Sequence, residues 1–349
     1  MPFWTKTDSG VPQEDKRTLY VHIGAHRTAT TSIQAFLNAN HAPLKAKGYL
    51  VPFGTGRHMD QLNGLLNGRV SPEDFAADLT RRAESHPETI HSIVLSDEDV
   101  AKRHDLSKLA RLGRHFDVKI IYALRRQDLW LESWWSQNVK GQWDAQLANK
   151  TFDDFIRDRG EFHWIDYDAF VGRLEKQFGA ENINLFVFER ESMPEGVAGT
   201  FCRAMGLSDM SGLRDAPRQN GSMTPQISEV MRQLPLTRTT QAFRQHLVAA
   251  FAQADRTVRA MKLPQLILTH KDRTALMAGY AAGNDALARR RFGRDTLFLE
   301  PMPAADAPVA DLALPSSGDV MMEMVLRPFV EGLMEIEASR AAAGPKKKG

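Results

Sequence analysis

"LYVHIGAHRTATTSIQAFL", residues 19–37, joins an apolar run to a turn of small and basic residues and then to a helix-like segment rich in threonine. The first backbone N–H groups of a helix lack partners within the helix, and the helix dipole adds partial positive charge there. Such a turn is suited to hold an anion. The stretch therefore predicts a buried strand, an anion-binding turn and a helix, in that order.

Further strands are predicted by three short apolar segments of the same character, HSIVLS (91–96), VKIIYAL (118–124) and INLFVFE (183–189). Helical patterns lie between the strands, at residues 30–40, 71–86, 128–141 and 166–179. Strands that alternate with helices predict an α/β fold, in which a parallel sheet is flanked by helices. Ligands of such folds bind at the carboxyl ends of the strands, so the loops that follow them are the expected site.

The domain organisation follows from composition along the chain. The apolar spacing is mostly helical towards the C-terminus, and the Pro- and Ala-rich segment 301–319 predicts an extended surface connection. We predict a single domain over 17–335, with 190–335 as its mainly helical part. Residues 1–16 predict a disordered N-terminal tail, and residues 336–349 predict a C-terminal tail.

The composition excludes several functional classes. The net charge of +2 is too small to indicate a nucleic-acid partner. Cys202 is the single cysteine, which excludes an intramolecular disulfide and a multi-thiolate metal site, and its apolar helical setting predicts a buried structural thiol. No metal-ligand spacing, signal-peptide core or long apolar run is present, so we predict a cytoplasmic protein with no metal and no membrane span.

The turn departs from the P-loop pattern G-x-x-x-x-G-K-[ST]. It keeps Gly24, but Ala29 stands in place of the second glycine and Thr30 in place of the lysine, while the basic residue lies inside the loop as Arg27. A nucleoside triphosphatase needs that lysine on the phosphates. The pattern thus favours an anion cradle without triphosphate chemistry, and the alternative is an ordinary helix N-cap made by Thr28 or Thr30.

The stretch HIGAHRTATTSIQ, residues 22–34, resembles the 5′-phosphosulfate loop of sulfotransferases that use 3′-phosphoadenosine-5′-phosphosulfate, whose bacterial members often read H-I-G-x-H-K-T-G-T-T-S-[IL]-Q. Arg27 replaces the usual lysine, and Ala29 replaces the usual glycine. Arginine keeps the charge but cannot release a proton, and alanine fits only where a positive φ is not required. The resemblance implies that the loop holds the 5′-phosphosulfate through Gly24, His26, Arg27, Thr28, Ala29, Thr30, Thr31 and Ser32.

A second segment, LRRQDLWLES, has the strand-end arginine of this family with a serine eight residues later. The resemblance implies that Arg125 and Ser133 hold the 3′-phosphate of the nucleotide, where a guanidinium and a hydroxyl both supply donors. The alternative for Arg125 is a strand-end salt bridge. Arg126 is expected to be a surface charge or the partner of Asp128.

The candidate general base follows another predicted strand, at residues 91–96. Ser96 and Glu98 form an S-x-E pattern similar to that of bacterial members of the family, so Glu98 is the candidate that takes the acceptor's proton. His26 and His58 are the rival bases. The alternative for the segment is a capping box of Ser96 with Asp99.

A histidine, a pair of tryptophans and a loop arginine are further candidates for a role in function. His22 lies within a predicted strand and is expected to pack in the core. At least one of Trp134 and Trp135 is expected to pack in the core, and the alternative for the other is to stack on an adenine or to line a sugar site. Arg218 lies in a segment that resembles one of the family, but an exposed loop position is favoured over nucleotide binding.

The resemblance covers roughly residues 18–190 and implies a bacterial-type sulfotransferase. It would transfer a sulfuryl group from 3′-phosphoadenosine-5′-phosphosulfate to a hydroxyl or amine of a carbohydrate, lipid or small-metabolite acceptor. Glu98 would take the acceptor's proton, and Arg27 would stabilise the charge on the departing phosphate oxygen. The alternatives are a P-loop-like kinase that binds ATP–Mg²⁺ and a non-catalytic nucleotide-binding protein.

Overall fold

The computed structural model describes residues 16–141, 144–215 and 221–343. One parallel sheet contains the five strands β1 (Thr18–His22), β2 (Tyr49–Leu50), β3 (Ser92–Ser96), β4 (Asp117–Leu124) and β5 (Ile183–Val187). Their order across the sheet is β2-β3-β1-β4-β5, which places β1 at the centre. Four strands confirm the predicted ones, whereas the two residues of β2 are too few to give a periodic signal.

The helices of the described residues are, in chain order, α1 (Thr30–Ala39), α2 (His41–Ala46), α3 (Met59–Leu66), α4 (Pro72–Glu84), α5 (Ser107–Ala110), α6 (Gln127–Gly141), α7 (Ala145–Ala148), α8 (Phe152–Arg157), α9 (Tyr167–Phe178), α10 (Gly196–Ala204), α11 (Pro225–Gln233), α12 (Gln241–Ala260), α13 (His270–Phe292), α14 (Gly318–Met321) and α15 (Arg327–Ala343). A 3₁₀ helix covers Glu98–Lys102, and a π-helical turn covers Met322–Leu326. The predicted fold class, a parallel sheet flanked by helices with a mainly helical C-terminal region, is confirmed.

The chain divides into two compact units whose segments alternate along the sequence. The first unit contains Met1–Arg126, Phe162–Gln219 and Ala281–Pro301, and the second contains Gln127–Glu161, Asn220–Tyr280 and Met302–Gly349. The single domain predicted over 17–335 stays a prediction.

Most of the two predicted tails, and Arg218, are not among the residues that the structure describes. Residues 1–15 and 344–349 and the segment that holds Arg218 lie outside the described residues. Helix α15 runs to Ala343, so the predicted C-terminal tail is helical over its first part. In the part of the chain that the structure describes, no helix has both the length and the apolar character needed to cross a membrane.

The core of the first unit packs on the five-stranded sheet, whose central strand β1 leads into the predicted anion-binding turn. Strand β3 is buried at every residue, as expected for a strand covered on both faces. Cys202 is buried beside Phe201 in this core, and burial raises the pKa of its thiol to about 12, which confirms the predicted structural thiol. His22 is also buried, with its ring 5.4 Å from that of Phe201 and its Nδ1 2.8 Å from Ser96 Oγ. The predicted core position of His22 is confirmed.

The second unit is organised by helix pairs. Helices α12 and α15 pack against each other, with the rings of Phe251 and Phe329 4.5 Å apart. Gly332 approaches the backbone of Ala250 so closely that an added Cβ would lie 2.6 Å from the carbonyl oxygen. The absence of a side chain at position 332 therefore permits the close packing of α15 on α12.

Helix α6 is anchored in this unit by buried charge. Arg273 is fully buried and forms ion pairs with Asp128 and with Glu132, whose Oε1 lies 2.6 Å away. The same oxygen accepts hydrogen bonds from the N–H groups of Ile267 and Leu268, each at 2.9 Å. Asp128 is therefore the partner of Arg273, a pairing that the sequence analysis did not foresee.

We predict that Gly332→Ala lowers the free energy of unfolding by about 1–3 kcal/mol, because the added methyl group must displace helix backbone. Urea denaturation followed by circular dichroism measures this change. Gly279→Ala is the matched control, since a Cβ at this position in α13 meets nothing within 4 Å. It should stabilise the protein by up to ~1 kcal/mol through helix propensity. Equal changes in the free energy of unfolding for the two substitutions would contradict the close packing of α15 on α12.

Candidate anion-binding site

The loop after β1 begins with a glycine that the fold requires. Gly24 has φ +105, and a Cβ at this position would lie 3.1 Å from Glu98 Cβ and 3.2 Å from the nitrogen of His26. The carbonyl of Gly24 accepts a hydrogen bond from the N–H of Ala123 at 2.7 Å, which continues the pairing with β4. Gly24 thus lets the segment after β3 approach the loop, and brings Glu98 next to it.

The turn itself passes through two left-handed residues. Arg27 has φ 63, and Ala29 has φ 60 and ψ 27. Position 29 therefore does not meet the condition under which alanine fits the loop without strain, and alanine bears a conformational cost of about 1 kcal/mol or more there. Between them Thr28 is buried, and its hydroxyl donates to the carbonyl of Ala25 at 2.6 Å. The Thr28 hydroxyl therefore closes the turn from within.

Helix α1 starts directly after this turn without a side-chain cap. Its N-cap residue is Ala29, which has no oxygen to offer, and the first turn contains no acidic residue. The alternative of an N-cap made by Thr28 or Thr30 is therefore wrong. Thr30 is buried, Thr31 is exposed and Ser32 is half-buried within the first turn. A ten-residue helix that begins in this way offers its dipole and N–H groups to an anion.

Two arginines bring positive charge to the same loop. Arg125, at the end of β4, donates from Nη1 to the carbonyl of Arg27 at 2.7 Å. Burial, together with the positive charge of Arg125, lowers the pKa of the Arg27 guanidinium to about 10. Repulsion between the two charges raises the free energy of the folded protein, and a bound dianion would offset that cost.

The two neighbouring arginines differ in what they contact. The backbone N–H of Arg125 donates to Tyr167 Oη at 3.0 Å, and that hydroxyl donates back to the Arg125 carbonyl at 2.5 Å. Arg126 is buried and donates from Nη1 to the carbonyls of Glu300 and Pro301 at 3.0 and 2.9 Å. The expectation of a surface charge at Arg126 is wrong, because its side chain is buried and its guanidinium binds two backbone oxygens.

Glu98 is held beside the loop by two side chains. Gln34, on α1, donates from Nε2 to Glu98 Oε2 at 2.5 Å, and Arg57 Nη2 lies 3.6 Å from Glu98 Oε1. Arg57 can reach this position because Gly56 lies on the backbone of α1, where a Cβ would be 1.9 Å from the Gln34 carbonyl oxygen. Glu98 itself is 8% exposed. The carboxylate is therefore oriented at the carboxyl ends of β1 and β3.

Two further carboxylates flank Glu98. Arg57 donates to Asp97 Oδ1 at 3.1 Å and to Asp99 Oδ2 at 2.8 Å. Burial raises the pKa of Asp97 to about 6, although Arg57 opposes this. Asp97 is the N-cap of the 3₁₀ helix, and Ser96 is the last residue of β3. The predicted capping box of Ser96 with Asp99 is therefore wrong.

The two rival bases have different surroundings. His26 Nε2 lies 3.3 Å from Asp99 Oδ1, and burial lowers the pKa of His26, so its ring is neutral at pH 7. His58 is buried, its Nε2 donates to the Pro52 carbonyl at 3.0 Å, and its Nδ1 accepts from the N–H of Ser96 at 3.0 Å. Burial lowers the pKa of His58 to about 4. Because both ring nitrogens of His58 bind backbone, it positions the loop before α3 and is unsuited to proton transfer.

The remaining predicted site residue lies in the second unit. Ser133 is on α6, is 6% exposed, and places its Oγ 2.8 Å from Ser222 Oγ. Trp134 and Trp135 on the same helix are both buried, and Trp135 Nε1 donates to the Lys150 carbonyl at 3.0 Å. Neither tryptophan presents a ring face to solvent, so the expected core position is confirmed and the alternative of stacking on a nucleotide or sugar is not supported.

Sequence reasoning missed three side chains that organise the site, Gln34, Arg57 and Tyr167. Gln34 ends the quoted motif and was available as a signal. Arg57 and Tyr167 lie on segments distant in sequence from the loop, and no local sequence pattern predicts that these segments approach it. Among the described residues, no group of three or more His, Cys, Asp or Glu side chains is arranged to hold a metal ion.

Comparisons with known proteins add little to this geometry. No family model matches the chain. An uncharacterised protein from Archaeoglobus fulgidus is 28% identical over 185 residues, which cover 52% of this chain and 48% of that protein. The chain thus spans about half the length of this curated relative.

Two solved structures are similar to parts of the chain. A sulfotransferase from Alicyclobacillus acidocaldarius has a TM-score of 0.38 and 15% identity, over 58% of this chain and 87% of that one. The sulfotransferase domain from the curacin biosynthetic pathway has a TM-score of 0.36 and 10% identity, over 59% of this chain and 79% of that one. Similarity at these TM-scores carries no argument about function.

We predict that Ala29→Gly raises the free energy of unfolding by about 0.5–1 kcal/mol, because glycine adopts the left-handed conformation without strain while losing more chain entropy on folding. Urea denaturation measures the change. The control is Ala35→Gly, in the middle of α1, which should destabilise by about 1 kcal/mol through helix propensity. Destabilisation by both substitutions would show that Ala29 is not strained.

We also predict opposite pH dependences for two variants between about pH 4 and 6. His58 has a pKa of about 4 in the folded protein against 6.5 in the unfolded chain, so it stabilises the fold more as pH rises. Asp97 has a pKa of about 6 against 3.8, so it stabilises the fold less as pH rises. The stability lost in His58→Gln should therefore grow with pH, and that lost in Asp97→Asn should shrink.

Denaturant unfolding of the two variants and the wild type at several pH values in this window measures both trends. If the stability lost in the two variants changed in the same direction with pH, the pKa shift assigned to His58 or to Asp97 would be wrong.

Proposed function

We propose that the protein is a sulfotransferase that uses 3′-phosphoadenosine-5′-phosphosulfate as its co-substrate. The observation that carries the proposal is the loop after β1, where a left-handed turn, an uncapped helix start and the adjacent Arg27 and Arg125 converge within a sequence that resembles the 5′-phosphosulfate loop. A phosphosulfate offers the dispersed negative charge that these groups favour.

The loop would bind the donor through backbone N–H groups of residues 27–32 and through the Arg27 guanidinium. Arg27 would also stabilise the negative charge that develops on the bridging oxygen as the sulfuryl group leaves. An arginine can do this by charge alone, since its pKa of about 10 keeps it protonated at neutral pH. The step therefore needs no proton from the residue at this position.

Glu98 would act as the general base. An acceptor hydroxyl or amine attacks sulfur, a new bond to sulfur forms, and the bond between sulfur and the phosphate oxygen breaks, which releases 3′-phosphoadenosine-5′-phosphate. The acceptor's proton passes to Glu98, which Gln34 and Arg57 orient. His26 with Asp99 is the rival pair for this step.

Arg125, which follows β4, would hold the 3′-phosphate, a role that rests on the sequence pattern. The acceptor would be a carbohydrate, a lipid or a small metabolite with a hydroxyl or amine group. A kinase that binds ATP–Mg²⁺ is the alternative, and the threonine in place of the P-loop lysine argues against it.

We predict that 3′-phosphoadenosine-5′-phosphate binds more tightly than ATP–Mg²⁺ and that Arg125→Ala weakens its binding at least tenfold, about 1.4 kcal/mol. Isothermal titration calorimetry measures both. Arg126→Ala is the matched control, because the neighbouring guanidinium contacts the carbonyls of Glu300 and Pro301, and its affinity should stay within about threefold of wild type.

Preference for ATP–Mg²⁺, or equal losses in the two arginine variants, would overturn the proposed nucleotide site. The assignment of Glu98 as the base is tested separately, by measuring transfer of a radiolabelled sulfuryl group from 3′-phosphoadenosine-5′-phosphosulfate to each of a panel of acceptors. Glu98→Gln should lose transfer and keep the nucleotide affinity, whereas loss of transfer in His26→Gln alone would assign the step to the rival pair.

A further inference from the structure

The backbone pairing between β4 and the chain that follows β1 reaches Ala123. The N–H of Ala123 donates to the carbonyl of Gly24 at 2.7 Å, and the carbonyl of Ala123 accepts from the N–H of Ala25 at 3.4 Å. Alternate residues of a strand present their backbone groups to the same neighbouring strand, so Arg125 is the next residue that faces the loop. In a continued parallel ladder, the N–H of Arg125 would donate to the carbonyl of Ala25.

Two side-chain hydroxyls take the place of that hydrogen bond. The carbonyl of Ala25 accepts instead from Thr28 Oγ1 at 2.6 Å. The N–H of Arg125 donates to Tyr167 Oη at 3.0 Å, and the same hydroxyl donates to the Arg125 carbonyl at 2.5 Å. Tyr167 therefore binds both backbone groups of Arg125 with one side chain, at the point where the loop leaves the sheet.

Tyr167 is itself fixed by its surroundings. It is the first residue of α9 and is 1% exposed. Its ring lies 6.3 Å from that of Tyr122 and 6.4 Å from that of Phe298. A buried aromatic ring packed against other rings has little freedom to change rotamer, so its hydroxyl keeps one position. The backbone of Arg125 is thus held by a side chain of the core.

The guanidinium of Arg125 lies against the loop. Its Nη1 donates to the carbonyl of Arg27 at 2.7 Å, and its Cζ lies 5.8 Å from the centre of the Phe188 ring. Arg125 is half-buried, so its side chain can still be reached from solvent. A guanidinium presents its N–H donors in one plane, so its affinity for a phosphate depends on how that plane is oriented. This orientation depends in turn on the backbone of Arg125.

We propose that Tyr167 is a positioning residue for recognition of the 3′-phosphate of the nucleotide. Its hydroxyl ends the pairing of β4 with the loop and orients Arg125, and it acts through Arg125 alone. The inference rests on the proposed function, in which Arg125 holds that phosphate.

A ratio of two affinities, measured by isothermal titration calorimetry, isolates the contacts of the 3′-phosphate. 3′-Phosphoadenosine-5′-phosphate and adenosine 5′-monophosphate differ only in that group. Tyr167→Phe removes the hydroxyl and keeps the ring, so it should lower the preference for the bisphosphate about fivefold, the effect of losing a hydrogen bond that orients the arginine. The affinity for the monophosphate should stay within about twofold of wild type.

Tyr122→Phe is the matched control, because the hydroxyl of Tyr122 is also buried and donates to a backbone carbonyl, that of Trp164, at 2.6 Å. This variant should keep the wild-type preference. In a protein that already carries Arg125→Ala, Tyr167→Phe should cause no further loss of preference, because the hydroxyl acts through the guanidinium. A purely structural role would instead weaken both nucleotides alike.

The proposal is overturned if wild type prefers the bisphosphate, Arg125→Ala abolishes that preference and Tyr167→Phe keeps it. It is also overturned if Tyr122→Phe lowers the preference as much as Tyr167→Phe does, or if the effect of Tyr167→Phe is the same without the Arg125 side chain. Equal binding of the two nucleotides by wild type would overturn the proposed 3′-phosphate site itself, and this inference with it. Tyr167→Met replaces the phenylalanine variant if circular dichroism shows that the latter is not folded.

Discussion

The turn between β1 and α1 is the constraint on which the candidate site depends. Strand β1 lies at the centre of a parallel sheet, so the chain that leaves it must turn sharply before α1 can pack on the sheet. It does so through Arg27 and Ala29, both left-handed, with the Thr28 hydroxyl bonded inside the turn. The conformation costs free energy, yet it directs the uncapped start of α1 towards the carboxyl edge of the sheet. Left-handed residues of this kind cluster at functional sites in proteins, which agrees with the anion site proposed at this turn.

Glycines and buried charges place the other side chains around this turn. Gly24 admits Glu98, and Gly56 admits the segment that carries Arg57. Arg57 lies among three carboxylates and offsets part of their repulsion, while Arg27 and Arg125 form the positive side of the site. The first unit therefore places basic and acidic side chains at one edge of the sheet. The proposed sulfuryl transfer would use the basic side chains to hold the anionic donor and an acidic one to accept the proton.

Periodicity and local motifs were sufficient to predict most of the sheet and the position of the anion loop. The long buried strands and the helices α1, α4, α6 and α9 have clear patterns, whereas β2 is two residues long and gives none. The left-handed conformation of Ala29 could not be read from an alanine, and the roles of Arg57 and Tyr167 depend on contacts between segments distant in sequence. The buried pairing of Asp128 with Arg273, 145 residues apart, escapes local reasoning for the same reason.

We infer that backbone N–H groups at the start of α1 bind an anionic nucleotide. Adding 3′-phosphoadenosine-5′-phosphate to isotope-labelled protein and following the amide ¹H and ¹⁵N chemical shifts tests this inference. We expect the largest shifts at residues 27–32, with downfield amide protons as expected for hydrogen bonds to phosphate oxygens. Saturable binding that leaves these amides unchanged, with the largest shifts elsewhere in the chain, would contradict it.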